Sequence, residues 1–181
     1  MRVLVACEFS GRVRDAFIAR GHDAVSCDIE DTETSGPHIQ GDVLSVLADG
    51  WDLMIAFPPC TYLCVSGARW WPGREKLQEK AIGFVRCLIA APIPMVAIEN
   101  PVGKLSTVIR KPDQIIQPWQ YGCGETKATC FWLYGLPALK STNVVSGRYP
   151  AVHRMHTSRN RSRNRSRTYP GVAAAMAEQW G

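Results

Sequence analysis

The chain has 181 residues, 46% of them hydrophobic, and a formal net charge of +5, which is the size of one domain with apolar content enough for a core. No stretch approaches the roughly 20 consecutive apolar residues of a membrane span, and Met1–Phe9 enters a strand at once, without the apolar core and small-residue cleavage site of a signal peptide. A membrane partner is therefore not expected, and a cytoplasmic location is; seven cysteines, an odd number set mostly in apolar runs, read as reduced, buried thiols of a reducing compartment.

Arg2–Cys7 reads as a buried parallel strand, followed by a tight turn, Glu8-Phe9-Ser10-Gly11. Arg12–Arg20 then reads as a helix, N-capped by Ser10, with Val13, Ala16 and Phe17 on one face and Gly21 as its stop. Asp23–Cys27 is a second strand, ending at Asp28, and the polar Ile29–Gln40 is expected to be loop. Gly41-Asp42-Val43 leads into a short helix around Leu44–Ala48. Trp51–Phe57 is an apolar run of strand length, ended by Pro58 and Pro59, which cannot continue a central ladder. Cys60 is thus delivered just past a strand end.

Thr61–Pro72, rich in Gly and Trp, reads as a mobile loop over the strand ends, and Glu75–Ala91 as the clearest helix, with Leu77, Ile82, Val85, Leu88 and Ile89 at helical spacing. Pro94–Ile98 is another buried strand, running into Glu99-Asn100-Pro101. Val102–Gly124 fixes no element. Thr129–Tyr134 is a strand by its aromatic and β-branched content, Pro137–Thr168 reads as irregular, and Gly171–Trp180 closes the chain as a helix. The alternation predicts one α/β domain, doubly wound and Rossmann-like, with a mostly parallel sheet and helices on both faces. Ligands of such sheets gather at the carboxyl ends of the strands, where one strand here carries a thiol and another a carboxylate.

The glycine turn lets backbone approach a ligand, and the helix start after it has N–H groups to offer a carboxylate. Asp28 lies about 20 residues beyond that turn, the interval at which nucleotide-binding sheets set an acid against ribose hydroxyls. Cys60-x-x-x-Cys64 has no second pair at zinc-ligand spacing, and His153 and His156 are the only clustered histidines, so no metal is expected. Six arginines, Arg154, Arg159, Arg161, Arg163, Arg165 and Arg167, fall in one low-complexity segment; subtracting them from +5 leaves −1. The basic character is local. Residues 153–168 read as a mobile loop, either a solvated segment or a phosphate-binding one in which Arg159, Arg161, Arg163, Arg165 and Arg167 meet nucleic acid.

Pro59-Cys60 and Glu99-Asn100 resemble the catalytic Pro-Cys and the Glu-Asn-Val motifs of the DNA (cytosine-5) methyltransferases, with Pro101 in place of the usual valine. The chain is also similar to short phage-type members of that kind. The resemblance implies a fold that binds S-adenosylmethionine, whose methionine part meets Glu8, Phe9, Ser10 and Gly11, whose ribose meets Asp28 and whose adenine amino group meets Asp42, with Pro58 beside them. It implies Cys60 as the nucleophile toward ring carbon 6 of cytosine, Glu99 as the acid that holds N3 and the exocyclic amine, and Asn100 as shaping that loop. Thr168-Tyr169-Pro170-Gly171 and the final helix resemble the family's last motif, which packs beside the first. Two family parts are absent: the Gln-x-Arg-x-Arg element, at whose place Glu125–Thr129 offers only Lys127 as a base, and the target-recognition domain, for which Pro137–Thr168 is too short. Methylation of cytosine in DNA, methylation of a smaller cytosine substrate, and a catalytically reduced nucleic-acid-binding protein all stay open; a homodimer would pool two arginine segments.

Overall fold

Successive residues of the apolar strands bury both faces, and the molecule is built on that fact. In the computed structural model, which describes residues 1–156 and 158–181, seven strands form one sheet. They are β1 Arg2–Ala6, β2 Asp23–Asp28, β3 His38–Gln40, β4 Leu53–Ala56, β5 Met95–Pro101, β6 Gln114–Ile116 and β7 Thr129–Tyr134, in the spatial order β3-β2-β1-β4-β5-β7-β6. The pairs from β3 to β5 are parallel, and β7 runs antiparallel to both β5 and β6. Val3, Val5, Leu53 and Ile55 pack on one face, Leu4, Ala6, Met54 and Ala56 on the other. The expected α/β class with a mostly parallel sheet is what the chain forms.

Helices α1 Arg12–Ile18 and α6 Pro170–Trp180 cover the first face, where Phe17, Val172, Met176 and Trp180 are buried. Helix α2 Glu75–Ile89 covers the second with Ile82, Val85 and Leu88, joined by a 3-10 helix, Val43–Val46, and by α3 Leu105–Val108. Shorter α4 Ala151–Arg154 and α5 Arg161–Ser166 occupy the arginine-rich segment, where composition alone reads as irregular chain. Among the described residues no helix is long and apolar enough to cross a membrane.

Several local readings are corrected. Ser10 does not cap α1: Gly11 takes that position with φ 74°, and the Ser10 hydroxyl turns back to Glu8. His38–Gln40 is an edge strand rather than loop, paired to Ser26–Asp28. β5 does not stop at Ile98 but carries Glu99 and Asn100 inside it, because β7 pairs with it beyond the end of β4. Thr61–Pro72 contains a 3-10 helix, Val65–Trp70. Of the cysteines, Cys27 and Cys130 are buried, Cys87 is exposed, and the other four are half-buried free thiols.

Candidate active site

From β1 the chain proceeds to β2 and β3 in one direction and from β4 to β5 in the other, so the sheet has its switch point between β1 and β4. In open α/β sheets ligands bind outside the carboxyl ends of the strands at such a point. Both flanking strands end in candidate motifs, Glu8–Gly11 after β1 and Pro58–Cys60 after β4. The turn after β1 begins with Cys7 at φ 57°, the only non-glycine in the left-handed region among the described residues. Glu8 is buried and spends its carboxylate on its own turn, accepting from the Ser10 hydroxyl and from the Gly11 N–H at 3.0 Å. Ser10 Oγ in turn accepts the Arg12 N–H at 3.4 Å. The first N–H groups of the helix start are therefore not offered outward; Glu8 and Ser10 shape the turn, and Phe9 lies buried beneath α5.

Asp28 ends β2 and Asp42 caps the 3-10 helix after β3, accepting the Leu44 N–H at 3.0 Å. Both carboxylates lie close enough to raise the Cys7 thiol, behind burial as the larger cause. Burial also lifts Asp28 above the ordinary carboxylate range. Two acids thus stand at the carboxyl end of β2 and just beyond that of β3, both near the Cys7 thiol.

The β4 and β5 ends are joined by a buried bond in which Asn100 Nδ2 donates to the Pro58 carbonyl at 2.8 Å; Asn100 Oδ1 has no partner among the described residues. Cys60 follows two residues later. Burial, the Glu99 carboxylate and Cys64 push its thiol up to about 11, and Lys127 pulls it back. Glu99 is raised by burial and likewise eased by Lys127. Glu99 and Lys127 line one cleft of about 30 Å³, together with Phe57, Phe131, Thr168 and Tyr169. Cys60 stands next to this cleft, not in its wall. A second, open groove of about 390 Å³ lies between Pro59, Thr61 and Tyr62 and the Leu77, Lys80, Ala81 and Phe84 face of α2.

The arginines do not form one free cationic surface. Arg163 and Arg167 are ion-paired with Glu33, and Arg161 Nε donates to the Met155 carbonyl at 3.0 Å. Arg159 lies in an exposed turn and Arg165 is half-exposed. Among the described residues no group of three or more His, Cys, Asp or Glu is placed to hold a metal; the side chain of His153 lies outside them.

Three functional candidates escape the motif reading. Lys127 is the cation of the cleft; the sequence marks it only as the lone base at the place of the missing Gln-x-Arg-x-Arg element, with no role attached. Glu33 is the anchor of α5. Arg14 is fully buried, and its guanidinium donates to Ser26 Oγ, Thr32 Oγ1, Thr34 Oγ1 and the carbonyls of Thr34, Ser35 and Pro37, fixing the loop after β2. Searches against protein-family models and against curated proteins find no match to the chain.

Proposed function

We propose that the domain transfers a methyl group from S-adenosylmethionine to carbon 5 of cytosine in DNA, through a covalent adduct on Cys60. The observation that carries the reading is the meeting of Cys60, Glu99 and Lys127 near the adjoining ends of β4 and β5, with Asp28 at the end of β2 and Asp42 beyond that of β3, across the sheet's switch point. The cofactor would sit against the Glu8–Gly11 turn, Asp28, Asp42 and Pro58, and it supplies an electrophilic methyl group. Burial raises Glu99 and so favours its protonated form, which would donate a hydrogen bond to N3 while accepting from the exocyclic amine. Loss of the Cys60 proton gives the thiolate that adds to carbon 6 and makes carbon 5 nucleophilic. Lys127 favours both that thiolate and the charge that develops on the ring. Transfer of the methyl group to carbon 5 would release the cofactor as its thioether; loss of the carbon 5 proton to water and expulsion of the Cys60 thiolate then restore the ring.

The thiol that burial pushes up to about 11 favours a second reading, a nucleic-acid-binding protein that holds cofactor without turnover, and Pro137–Thr168, too short for a target-recognition domain, favours an enzyme for a smaller cytosine substrate. The deciding experiment offers labelled S-adenosylmethionine with duplex DNA, single-stranded DNA, RNA or dCMP to wild type and to Cys60→Ser. Labelling that disappears in the variant is the expected result; labelling of dCMP alone selects the smaller substrate. Cofactor binding by calorimetry that weakens in Asp42→Ala, without any labelling, selects the binding protein.

A further inference from the structure

Helix α5 is held on both sides. Arg167 grips Glu33 with two N–H groups, Nε to Oε2 at 2.7 Å and Nη2 to Oε1 at 2.6 Å. Arg163 Nε adds a bond to Glu33 Oε1 at 3.0 Å, lies 3.6 Å from Glu30 Oε2, and its guanidinium stands 4.7 Å above the Phe9 ring. The Glu33 N–H donates to the Phe9 carbonyl at 2.8 Å, so the acidic loop, the turn after β1 and α5 form one unit. On the far side Lys127 Nζ donates to the Arg165 carbonyl at 2.9 Å, and Arg12 Nη1 to the Thr168 carbonyl at 2.8 Å. Ser166, Thr168 and Tyr169 thereby wall the cleft over Glu99 and Lys127. At about 30 Å³ it has room for water-sized occupants, not for a pyrimidine ring.

We infer that α5 is a phosphate-binding helix latched from within: Glu33 occupies, on Arg163 and Arg167, the place a nucleic-acid phosphate takes, and strand binding draws the arginines off Glu33 and lifts α5 from the cleft. The guanidinium fork presents the same paired donors to a carboxylate and to a phosphate. The latch lies at the surface, with the Arg163, Arg167 and Glu33 side chains 39%, 27% and 24% exposed, so its ion pairs are of the kind that exchange with solvent and competing anions. Arg167 holds Glu33 below the ordinary carboxylate range, so the latch stays charged at neutral pH. The Lys127 bond to the helix backbone means that the same displacement frees the cleft's cation. The inference rests on nucleic acid being the ligand of the arginine segment.

The test measures anisotropy of labelled single-stranded and duplex oligodeoxynucleotides across a salt series with wild type, Glu33→Gln, an Arg163→Gln/Arg167→Gln double variant and the triple combination. Glu33→Gln is expected to bind about 3- to 10-fold tighter and with a steeper salt slope, by roughly 0.7–0.9 for each arginine that now exchanges counterions instead of a carboxylate. The double variant loses affinity, and adding Glu33→Gln to it changes nothing further. Without nucleic acid, Glu33→Gln is cut faster by trypsin at Arg163 and Arg167 while its thermal transition stays at the wild-type position. Unchanged affinity and slope in Glu33→Gln, no binding by either protein, or undiminished binding by the double variant each overturns the latch. Labelling of DNA with no effect of Glu33→Gln sinks the latch alone; the Glu33→Gln effect without labelling of any substrate sinks the methyl-transfer reading alone.

Discussion

Alkylation of Cys60 in the ligand-free protein puts the electrostatics of the site to a direct test. Its thiol lies near 11 against an ordinary 9.0, so at about pH 8 the thiolate fraction falls from roughly one in ten to one in a thousand. A more basic thiolate is also a better nucleophile, and a Brønsted coefficient of about 0.4–0.5 over those two units returns a factor of roughly 6 to 10. Cys60 should therefore react with iodoacetamide about 10- to 15-fold more slowly than in the denatured chain, before any loss of access, and its rate should climb tenfold per pH unit to about pH 10 instead of levelling near 9. Lys127→Met should slow it further, because the one attractive charge on the thiolate is gone. Peptide mass spectrometry of quenched time points gives the rate at Cys60 apart from the other six cysteines. A rate that levels below about pH 9, or exceeds that of the denatured chain, would refute the upward push of burial and Glu99 on this thiol.

Asn100→Ala leaves the buried Pro58 carbonyl without its donor and should cost about 1–3 kcal/mol, read as a fall of several degrees in the calorimetric transition, with Cys60 alkylation becoming faster as its loop loosens. Arg14→Met strands the carbonyls of Thr34, Ser35 and Pro37 and several hydroxyls; a loss of about 3–5 kcal/mol is expected, with amide exchange in residues 31–37 rising first. Alkali should destabilise the fold. Cys27, Cys60 and Cys130 are each held up to about 11 by burial, so the unfolded chain ionises first, stability is intact below about pH 9, and it is lost as pH climbs toward 11. At about pH 10 each of these thiols accounts for roughly 1.4 kcal/mol, about 4 for the three, seen as a lower urea midpoint that their replacement by serine makes shallower, with the buried Cys7 thiol still contributing. A flat profile in the unsubstituted chain would refute the assignment.

The buried strands and their motifs were legible because a strand covered on both faces is a continuous apolar run that stops where Pro or Gly forbids the ladder. This placed Cys60 after β4 and Asp28 at the end of β2. What escaped depends on partners distant in the chain. β3 is polar and three residues long; its pairing with β2, not its composition, makes it a strand. Arg14 sits in a helix that reads as amphipathic, where an arginine is expected to face water, and is buried only because the loop of residues 32–37 closes over it with acceptors. Lys127 meets Glu99 in the cleft from the segment before β7, and Arg163 and Arg167 reach Glu33 across 130 and 134 residues of chain. Local composition marks the arginine run as solvated; the acidic residues that hold it are unremarkable by themselves.

The placement of these bonds decides which part of the site has to move. The Cys60 loop is tied to the β5 end on both sides of the nucleophile: Asn100 holds Pro58 before it, and after it Lys104 N–H donates to the Leu63 carbonyl at 2.7 Å while Val65 N–H donates to that of Val102 at 3.1 Å. A Cβ at residue 103 would lie 1.9 Å from the Leu63 carbonyl oxygen, so glycine is what permits this approach. Cys60 is thus carried between fixed points and keeps its relation to Glu99, which lies within the β5–β7 ladder. The other wall of the cleft has no such ladder. Apart from the first turn of α6, it is closed by surface ion pairs at Glu33 and by single bonds from Lys127 and Arg12. A ligand larger than water must displace something, and breaking exposed ion pairs costs far less than unpairing buried strand ends. Entry is therefore gated at the arginine helix, while the groups that would do chemistry stay where the sheet holds them.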